Sequence, residues 1–259
     1  MKCCICGTVR NCGPYLDKVL SNMEKIGELF DDYVIIVYYD ISVDNTLKKL
    51  QNYQIKNSKL ILHINQNKLL KYRTHRISLG RNKCLDIMRR QYNDYKYFIM
   101  MDCDDKCAYN ININLLKENL KRDDWDSLSF NHPAGYYDTW AFSKRPFVLS
   151  CYNSKVWEGK RYITSIIKQT PKTALIKCMS AFNGFAIYRT DKFNNCYYDG
   201  TARIDYIPKK LIRENVSVCG PIIQDKQHPY EDCEHRFFHI NAIKKNNARI
   251  RIAPVCLFT

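Results

Sequence analysis

The chain has 259 residues, 46% of them hydrophobic, and a formal charge of +15 from 41 Lys and Arg against 26 Asp and Glu. That length and apolar content fit one large domain with a sizeable core, or one domain with a C-terminal extension. No run approaches the roughly 20 apolar residues of a membrane-spanning helix, and residues 1–16 lack the apolar centre of a signal peptide. A soluble protein made in the cytoplasm is therefore expected. The basic residues are spread along the chain rather than gathered in one arm, and Lys, Asn, Ile and Tyr are abundant, as an AT-rich coding sequence would produce. Much of the charge reads as solvated surface, with nucleic acid an unlikely partner. The 13 cysteines are odd in number and several, such as Cys3, Cys4, Cys178, Cys219 and Cys256, lie in apolar runs. Free thiols in a reducing compartment explain this better than a disulfide framework. Cys3 and Cys6 have C-x-x-C spacing but no second pair, so a closed four-ligand zinc site is not expected.

Along the chain, Lys2 to Val9 reads as a strand and Pro14 to Phe30 as a helix, with Pro14 suited to a first helical position and Leu16, Val19, Leu20, Met23, Ile26 and Phe30 near helical spacing. Tyr33 to Tyr39 is a second strand, and a short helix follows, started by capping residues near Ser42 to Asn45. Lys59 to Ile64 is a third strand. Ile77 to Tyr92 is a helix expected to bury Leu79, Cys84, Leu85 and Met88. Tyr97 to Met101 is a fourth strand. This alternation predicts an α/β fold with a doubly wound, mostly parallel sheet. The second half is less regular. Trp125 to Phe130 and Ala181 to Tyr188 read as strands, Asn131 to Lys172 as loops and short elements around a site, Tyr230 to Lys245 as a helix, and Arg249 to Ala253 as a last strand that stops at Pro254. No second domain is evident.

The most informative stretch is Tyr97-Phe98-Ile99-Met100-Met101-Asp102-Cys103-Asp104-Asp105, a buried-strand pattern that ends abruptly in acids. Open α/β sheets place ligands at such strand ends, and an extended chain points Asp102 and Asp104 the same way. Two converging carboxylates repel unless a proton or cation lies between them, and an oxygen-only site suits Mn²⁺ or Mg²⁺ against a diphosphate. The alternative is a strand ending in a solvated turn. Asp40 ends the second strand, next to the ends of the first and fourth in a parallel sheet. Thr8, Val9, Arg10 and Asp40 are thus placed to line a nucleoside pocket, or to serve turn and cap chemistry. Arg73 to Arg76 and Gly80-Arg81-Asn82 flank the helix before the fourth strand, where basic residues meet phosphates or remain a solvated face. Gly184 in a strand-like run marks close backbone approach or a bulge. In Tyr230 to His239, Asp232, His235 and His239 are spaced for one helical stripe, and so are Glu231, His235 and His239. Such a stripe offers a base and a metal ligand, or only capping and surface charge.

Taken in order, Thr8-Val9-Arg10-Asn11, Tyr38-Tyr39-Asp40 with Ser42 and Asp44, Gly80-Arg81-Asn82, Met101 to Asp105, Asn183-Gly184-Phe185-Ala186 and Glu231-Asp232 resemble nucleotide-sugar glycosyltransferases of the GT-A fold. The likeness is greatest to family 2-like enzymes and to small glycosyltransferases of giant DNA viruses, and it covers nearly the whole chain. The resemblance implies one GT-A domain over 1–259, with residues 1–105 holding the nucleotide and an irregular half, 106–259, holding the acceptor. It implies Asp104 and Asp102 as ligands of Mn²⁺ or Mg²⁺, with Asp102 alternatively meeting the ribose. Thr8, Val9, Arg10 and Asp40 would cradle the nucleoside and Arg81 would approach the donor, a nucleoside-diphosphate sugar. Asp232 would be the general base, with Glu231 and Glu234 as alternatives, and His239 or His235 would complete the metal site. The acceptor would be a glycan, glycoprotein or glycolipid, and the location the cytoplasm, that of the host for a viral enzyme. Trp140, Trp157, Tyr136 and Tyr137 are aromatic candidates for stacking on sugars. A nucleotidyltransferase would share the acids and the metal but would more often carry an N-terminal Gly-rich phosphate loop, which is missing. A non-catalytic nucleic-acid-binding protein would gather its charge on one face.

Overall fold

A computed structural model describes residues 1–149, 156–223 and 228–259. The first half alternates as its hydrophobic pattern dictates: β1 (Lys2–Val9), α1 (Leu16–Gly27), β2 (Asp32–Tyr39), α2 (Thr46–Lys56), β3 (Leu60–Ile64), α3 (Arg73–Gln91) and β4 (Tyr97–Asp102). The second half adds α4 (Ile113–Leu120), β5 (Ser127–Asn131), α5 (Val156–Gln169), β6 (Ile176–Cys178), β7 (Phe185–Arg189), α6 (Lys209–Cys219), α7 (Glu234–Asn246) and β8 (Ile250–Cys256). The strands form one sheet in the order β3-β2-β1-β4-β7-β5-β8-β6. Pairing is parallel from β3 through β4, antiparallel on both sides of β7 and between β6 and β8, and parallel between β5 and β8. The sheet is thus doubly wound with a parallel core, and mixed towards its C-terminal half.

Strand alternation divides the core into two layers. Cys3, Ile5, Val9, Ile35, Val37, Ile99, Met101 and Cys103 pack on one face with Val19, Leu20 and Met23 of α1. Cys4, Cys6, Val34, Ile36, Phe98 and Met100 pack on the other with Cys84, Leu85 and Met88 of α3 and Phe238 of α7. Both faces of the central strands are therefore buried, which is why they read as continuous apolar runs. Cys103 points inward, and Asp102 and Asp104, on the opposite phase, stand on the side of α3. The described cysteines are all free.

Several boundaries depart from expectation for identifiable reasons. α3 begins at Arg73, four residues before the apolar pattern does, because its first turns bury Thr74, Ser78 and Arg81. Leu79 falls off that stripe and is exposed. Asn183 and Gly184 have φ of 65° and 86°, so β7 cannot begin before Phe185. α7 begins at Glu234 rather than Tyr230, with Glu231 instead bridged to Thr201. β8 runs through Pro254, since the register with β5 slips between Ala253 and Cys256 and leaves the proline unpaired. The segment expected to hold loops and short elements contains α5, a 14-residue helix burying Ile163, and α4 and α6 add two helices beyond the expected elements. Among the described residues no helix is long and apolar enough to cross a membrane.

One ion pair, with its carboxylate buried and its guanidinium exposed, ties β5 to β8. Asp126, just before β5, accepts the Arg249 backbone N–H (2.7 Å) and Arg249 Nε (2.9 Å) at Oδ2, and its Nη2 (3.1 Å) at Oδ1, just before β8. Burial works to raise the Asp126 carboxyl, but the Arg249 bonds hold it below the ordinary range. A folded-state value below that of the unfolded chain makes the contribution complete above about pH 4 and lost as pH falls below it. Asp126→Asn should cost about 1 to 3 kcal/mol in urea unfolding at pH 7, and its midpoint should approach that of the parent protein as the pH is lowered towards about 3.

Candidate active site

The C-terminal ends of β1, β2 and β4 surround a cavity of about 230 Å³. Thr8, Val9, Arg10, Asp40, Arg81, Asp102 and Asp104, each singled out in the sequence, all line it, together with Arg73 and Arg76. Register brings them there: Thr8 lies beside Tyr38 on one side and Asp102 on the other. Gly80 lets α3 approach, since a Cβ there would fall 2.7 Å from the Tyr38 ring and 2.8 Å from Thr8 Cγ2. Asn82 fixes the same helix by exchanging two 2.8 Å bonds with the Tyr198 backbone.

Arg81 is the centre of the arrangement. It is 3% exposed. Its Nη2 donates to Asp102 Oδ1 at 2.9 Å, and its Nη1 meets Glu234 Oε1 and His235 Nε2. The guanidinium lies 4.6 Å above the Phe182 ring and 5.6 Å from that of Tyr198. Burial opposes its charge, yet Glu234 and Asp102 raise its pKa. The same burial pushes Asp102 up to about 7, with Arg81 opposing and Asp104 adding to the rise. Asp104 is raised by burial too, although the Lys106 N–H donates to its Oδ1 at 3.0 Å.

Asp40 is buried, and its Oδ1 accepts Ile41 N (3.0 Å) and Asn65 Nδ2 (2.9 Å). Its Oδ2 lies 3.9 Å from Arg76 Nε. Arg10 donates to the Ile41 carbonyl at 3.2 Å. Ser42 and Asp44 have a local role: Ser42 Oγ accepts Asn11 N, and Asp44 accepts Gly13 N and Thr46 N.

The late acids and histidines are placed differently from one another. Glu231 accepts Thr74 N at 2.9 Å and meets His228 Nδ1 at 2.9 Å. It thereby satisfies an N–H at the start of α3, where no local side chain caps the helix. Asp232 is 1% exposed and accepts from Cys233 N (2.6 Å), Tyr206 Oη (3.3 Å) and Arg236 Nη1. Glu234 alone of the three reaches Arg81; burial raises its carboxyl and Arg81 opposes the rise. Because α7 starts at Glu234, Asp232 and the histidines do not form one helical stripe. His239 is fully buried between Ser180 Oγ (3.0 Å to Nδ1) and Tyr188 Oη (3.2 Å to Nε2). His235 stacks on Phe182 at 3.8 Å, and its Nδ1 is buried without a partner. Burial and the nearby Arg81 charge keep both imidazoles neutral, with His239 lowered to about 3. Neither ring lies in the cavity lining, and among the described residues no group of three or more His, Cys, Asp or Glu is arranged to hold a metal ion.

Tyr136 is buried and offers no open stacking face, half-buried Trp140 meets His228 edge-on, and the Trp157 side chain lies outside the described residues. Asp138 escaped the sequence reading. It is half-buried, its charge acts on Asp102 and Glu234, and nothing in its aromatic surroundings in the sequence marks it. Arg81→Met should leave Asp102 and Glu234 without their shared counter-charge and lower stability in urea by about 3 to 5 kcal/mol, whereas Arg10→Met, at the exposed rim, should change it by no more than about 0.5 kcal/mol.

Residues 4–196 match the family model described as Glycosyl transferase family 2. Among curated proteins none matches the sequence. Among solved structures, S. aureus TarS 1-349 in complex with UDP is similar over 100% of this chain and 59% of that one, at 16% identity and a TM-score of 0.52. Its complex with UDP-GlcNAc gives 100% and 57%, 15% identity and a TM-score of 0.51. The chain thus spans somewhat less than three fifths of TarS 1-349, and at these identities the likeness is one of fold. Match, sheet order and acid-ended β4 agree: the chain belongs to glycosyl transferase family 2.

Proposed function

We propose that the protein is a metal-dependent glycosyltransferase that moves a sugar from a nucleoside-diphosphate sugar to an acceptor hydroxyl. The observation that carries this reading is the composition of the cavity. Asp40, Asp102 and Asp104 face Arg10, Arg73, Arg76 and Arg81 in one strand-end cleft. Guanidinium groups there suit phosphate oxygens, and Asp40 at the far end suits the N–H or hydroxyl of a nucleoside. The carboxyls of Asp102 and Asp104, both raised by burial with Asp104 adding to the rise at Asp102, favour a cation between them and provide hard oxygen donors. Mn²⁺ or Mg²⁺ would be held by these two carboxylates, with neither His235 nor His239 required. When bound, the ion would offset the charge that develops on the leaving diphosphate.

The remaining roles belong to the chain's own side chains. Arg81 orients Asp102 and, through the same guanidinium, holds Glu234 close to that acid. Glu234 is our candidate for the base that takes the acceptor proton. Asp232 is sealed against Arg236, and Glu231 is engaged at the start of α3. Residues 1–105 form the donor half and 106–259 the acceptor half, and a glycan, glycoprotein or glycolipid supplies the hydroxyl. The free cysteines accord with a reducing cytoplasm. UDP and UDP-GlcNAc, bound in the TarS structures, are the first ligands to test, with GDP as the contrast.

Asp104→Asn should abolish Mn²⁺-dependent binding of the nucleoside diphosphate in calorimetric titration, and the metal-free protein should be no less stable, since one repelling charge is gone. Undiminished binding would remove Asp104 from the metal site. Glu234→Gln should lower kcat by a factor of about 10² to 10⁴ with donor affinity little changed. Asp232→Asn should instead act through stability; loss of turnover at unchanged stability there would return the base to Asp232.

A further inference from the structure

The loop leaving β5 is fastened to the acid cluster by a device that the cavity described so far does not use. β5 and β4 are both antiparallel to β7, so β5 ends at the same edge as β4. Beyond it the chain returns over that edge through Tyr137 and Asp138. Asn183 Oδ1 accepts the backbone N–H of Tyr137 (2.9 Å) and of Asp138 (3.2 Å), while Asn183 Nδ2 donates to the Phe130 carbonyl at 3.0 Å. Asn183 and Gly184 are consecutive left-handed residues. A Cβ on Gly184 would stand 2.4 Å from the Tyr137 hydroxyl, so only glycine admits that group. The Gly184 carbonyl in turn accepts Asp102 N–H at 2.8 Å. One two-residue turn therefore grips Tyr137–Asp138 on one side and Asp102 on the other.

The carboxyl it presents is only partly matched. One Asp138 oxygen accepts Ala141 N at 3.2 Å, and among the described residues no ion pair engages the carboxyl. The Tyr137 hydroxyl is buried with no hydrogen-bond partner. Burial raises the Asp138 carboxyl, while the Ala141 and Asn183 N–H groups and the charges of Arg81 and Arg73 favour its ionised form. Asp102 on β4, Glu234 on α7 and Cys233 before it feel its charge, as do Tyr136 and Tyr137 on its own loop.

We propose that Asp138 receives the hydroxyl groups of the transferred sugar, and that Asn183–Gly184 is the turn that positions it. This rests on the glycosyl-transfer reading. Along the sheet edge the order is β2, β1, β4, β7, β5. Asp40 and Thr8 to Arg10 occupy the β2 and β1 ends, and the diphosphate acids the β4 end. A donor laid out from nucleoside to diphosphate continues over β7 and β5, four strand spacings or about 19 Å from β2. There its sugar meets Asp138. A carboxylate is acceptor-only and binds hydroxyl donors through charge-assisted bonds.

The test is calorimetry with Mn²⁺ on the whole chain, comparing bare UDP and GDP with UDP-glucose, UDP-galactose, UDP-N-acetylglucosamine and GDP-mannose. Asp138→Asn, which keeps the shape and the Ala141 bond, should leave nucleotide affinity within about twofold and weaken the preferred conjugate by about tenfold to a hundredfold. Asn183→Gly keeps the left-handed backbone but removes the amide that holds the loop. It should change the same ratio of conjugate to nucleotide affinity, and it reads the proposal should Asp138→Asn not fold. An unchanged ratio, or equal loss of nucleotide and conjugate, overturns the sugar assignment and leaves the donor site standing. Absence of any nucleotide binding by the unmodified protein overturns the glycosyl-transfer reading and this assignment with it.

Discussion

Arg81 is the residue on which the two halves of the structure depend. A guanidinium removed from water is costly unless its charge and donors are matched, and here the match is drawn from separate parts of the chain: Asp102 at the end of β4, Glu234 at the start of α7, and the faces of Phe182 and Tyr198. Since α3 carries Arg81 and Gly80 presses α3 onto β1 and β2, the position of the late helix is set relative to the strand ends. The geometry of the proposed donor and acceptor halves thus follows from one buried cation with two anionic partners.

The local charge of the cavity differs from that of the whole chain. A surplus of +15 is spread along the sequence, but inside the cleft three carboxylates and four guanidiniums lie together. Either set alone would be a general attraction for ions. Both together suit a ligand that brings its own mixed charges, which is the nature of a nucleoside diphosphate with a divalent cation. The raised carboxyls of Asp102 and Asp104 and the neutral late histidines share burial as their leading cause, with opposite consequences: acids that favour a cation, and imidazoles held by hydroxyls or by Arg81.

Acids close together in sequence end in unlike environments. Glu231 supports the start of α3, Asp232 is matched by buried Arg236, and Glu234 faces Arg81. The change from one to the next is produced by the point at which the chain becomes helical, because an extended residue and a helical one send neighbouring side chains in different directions. Asp138 lies far away in sequence and reaches the same cluster only through Asn183 and Gly184.

The sequence by itself determined the parallel core and the strand ends that line the cleft. β1, β2 and β4 are continuous apolar runs because both their faces are covered, and they end in residues that parallel register must bring together: Thr8, Asp40, Asp102 and Asp104. Such information is local and survives without coordinates. What only the tertiary structure decided was the partnership of groups distant in the chain. α3 hides its first turns behind polar residues whose partners, Glu231 and Glu234, come about 150 positions later. β8 accommodates Pro254 because its partner strand slips register there. His239 satisfies both ring nitrogens with hydroxyls from Ser180 and Tyr188, residues that periodicity cannot relate to it. A spacing can place side chains on one stripe of a helix, but which group satisfies a buried donor or charge is fixed only when the elements pack, since the cost of leaving it unmatched is incurred only there.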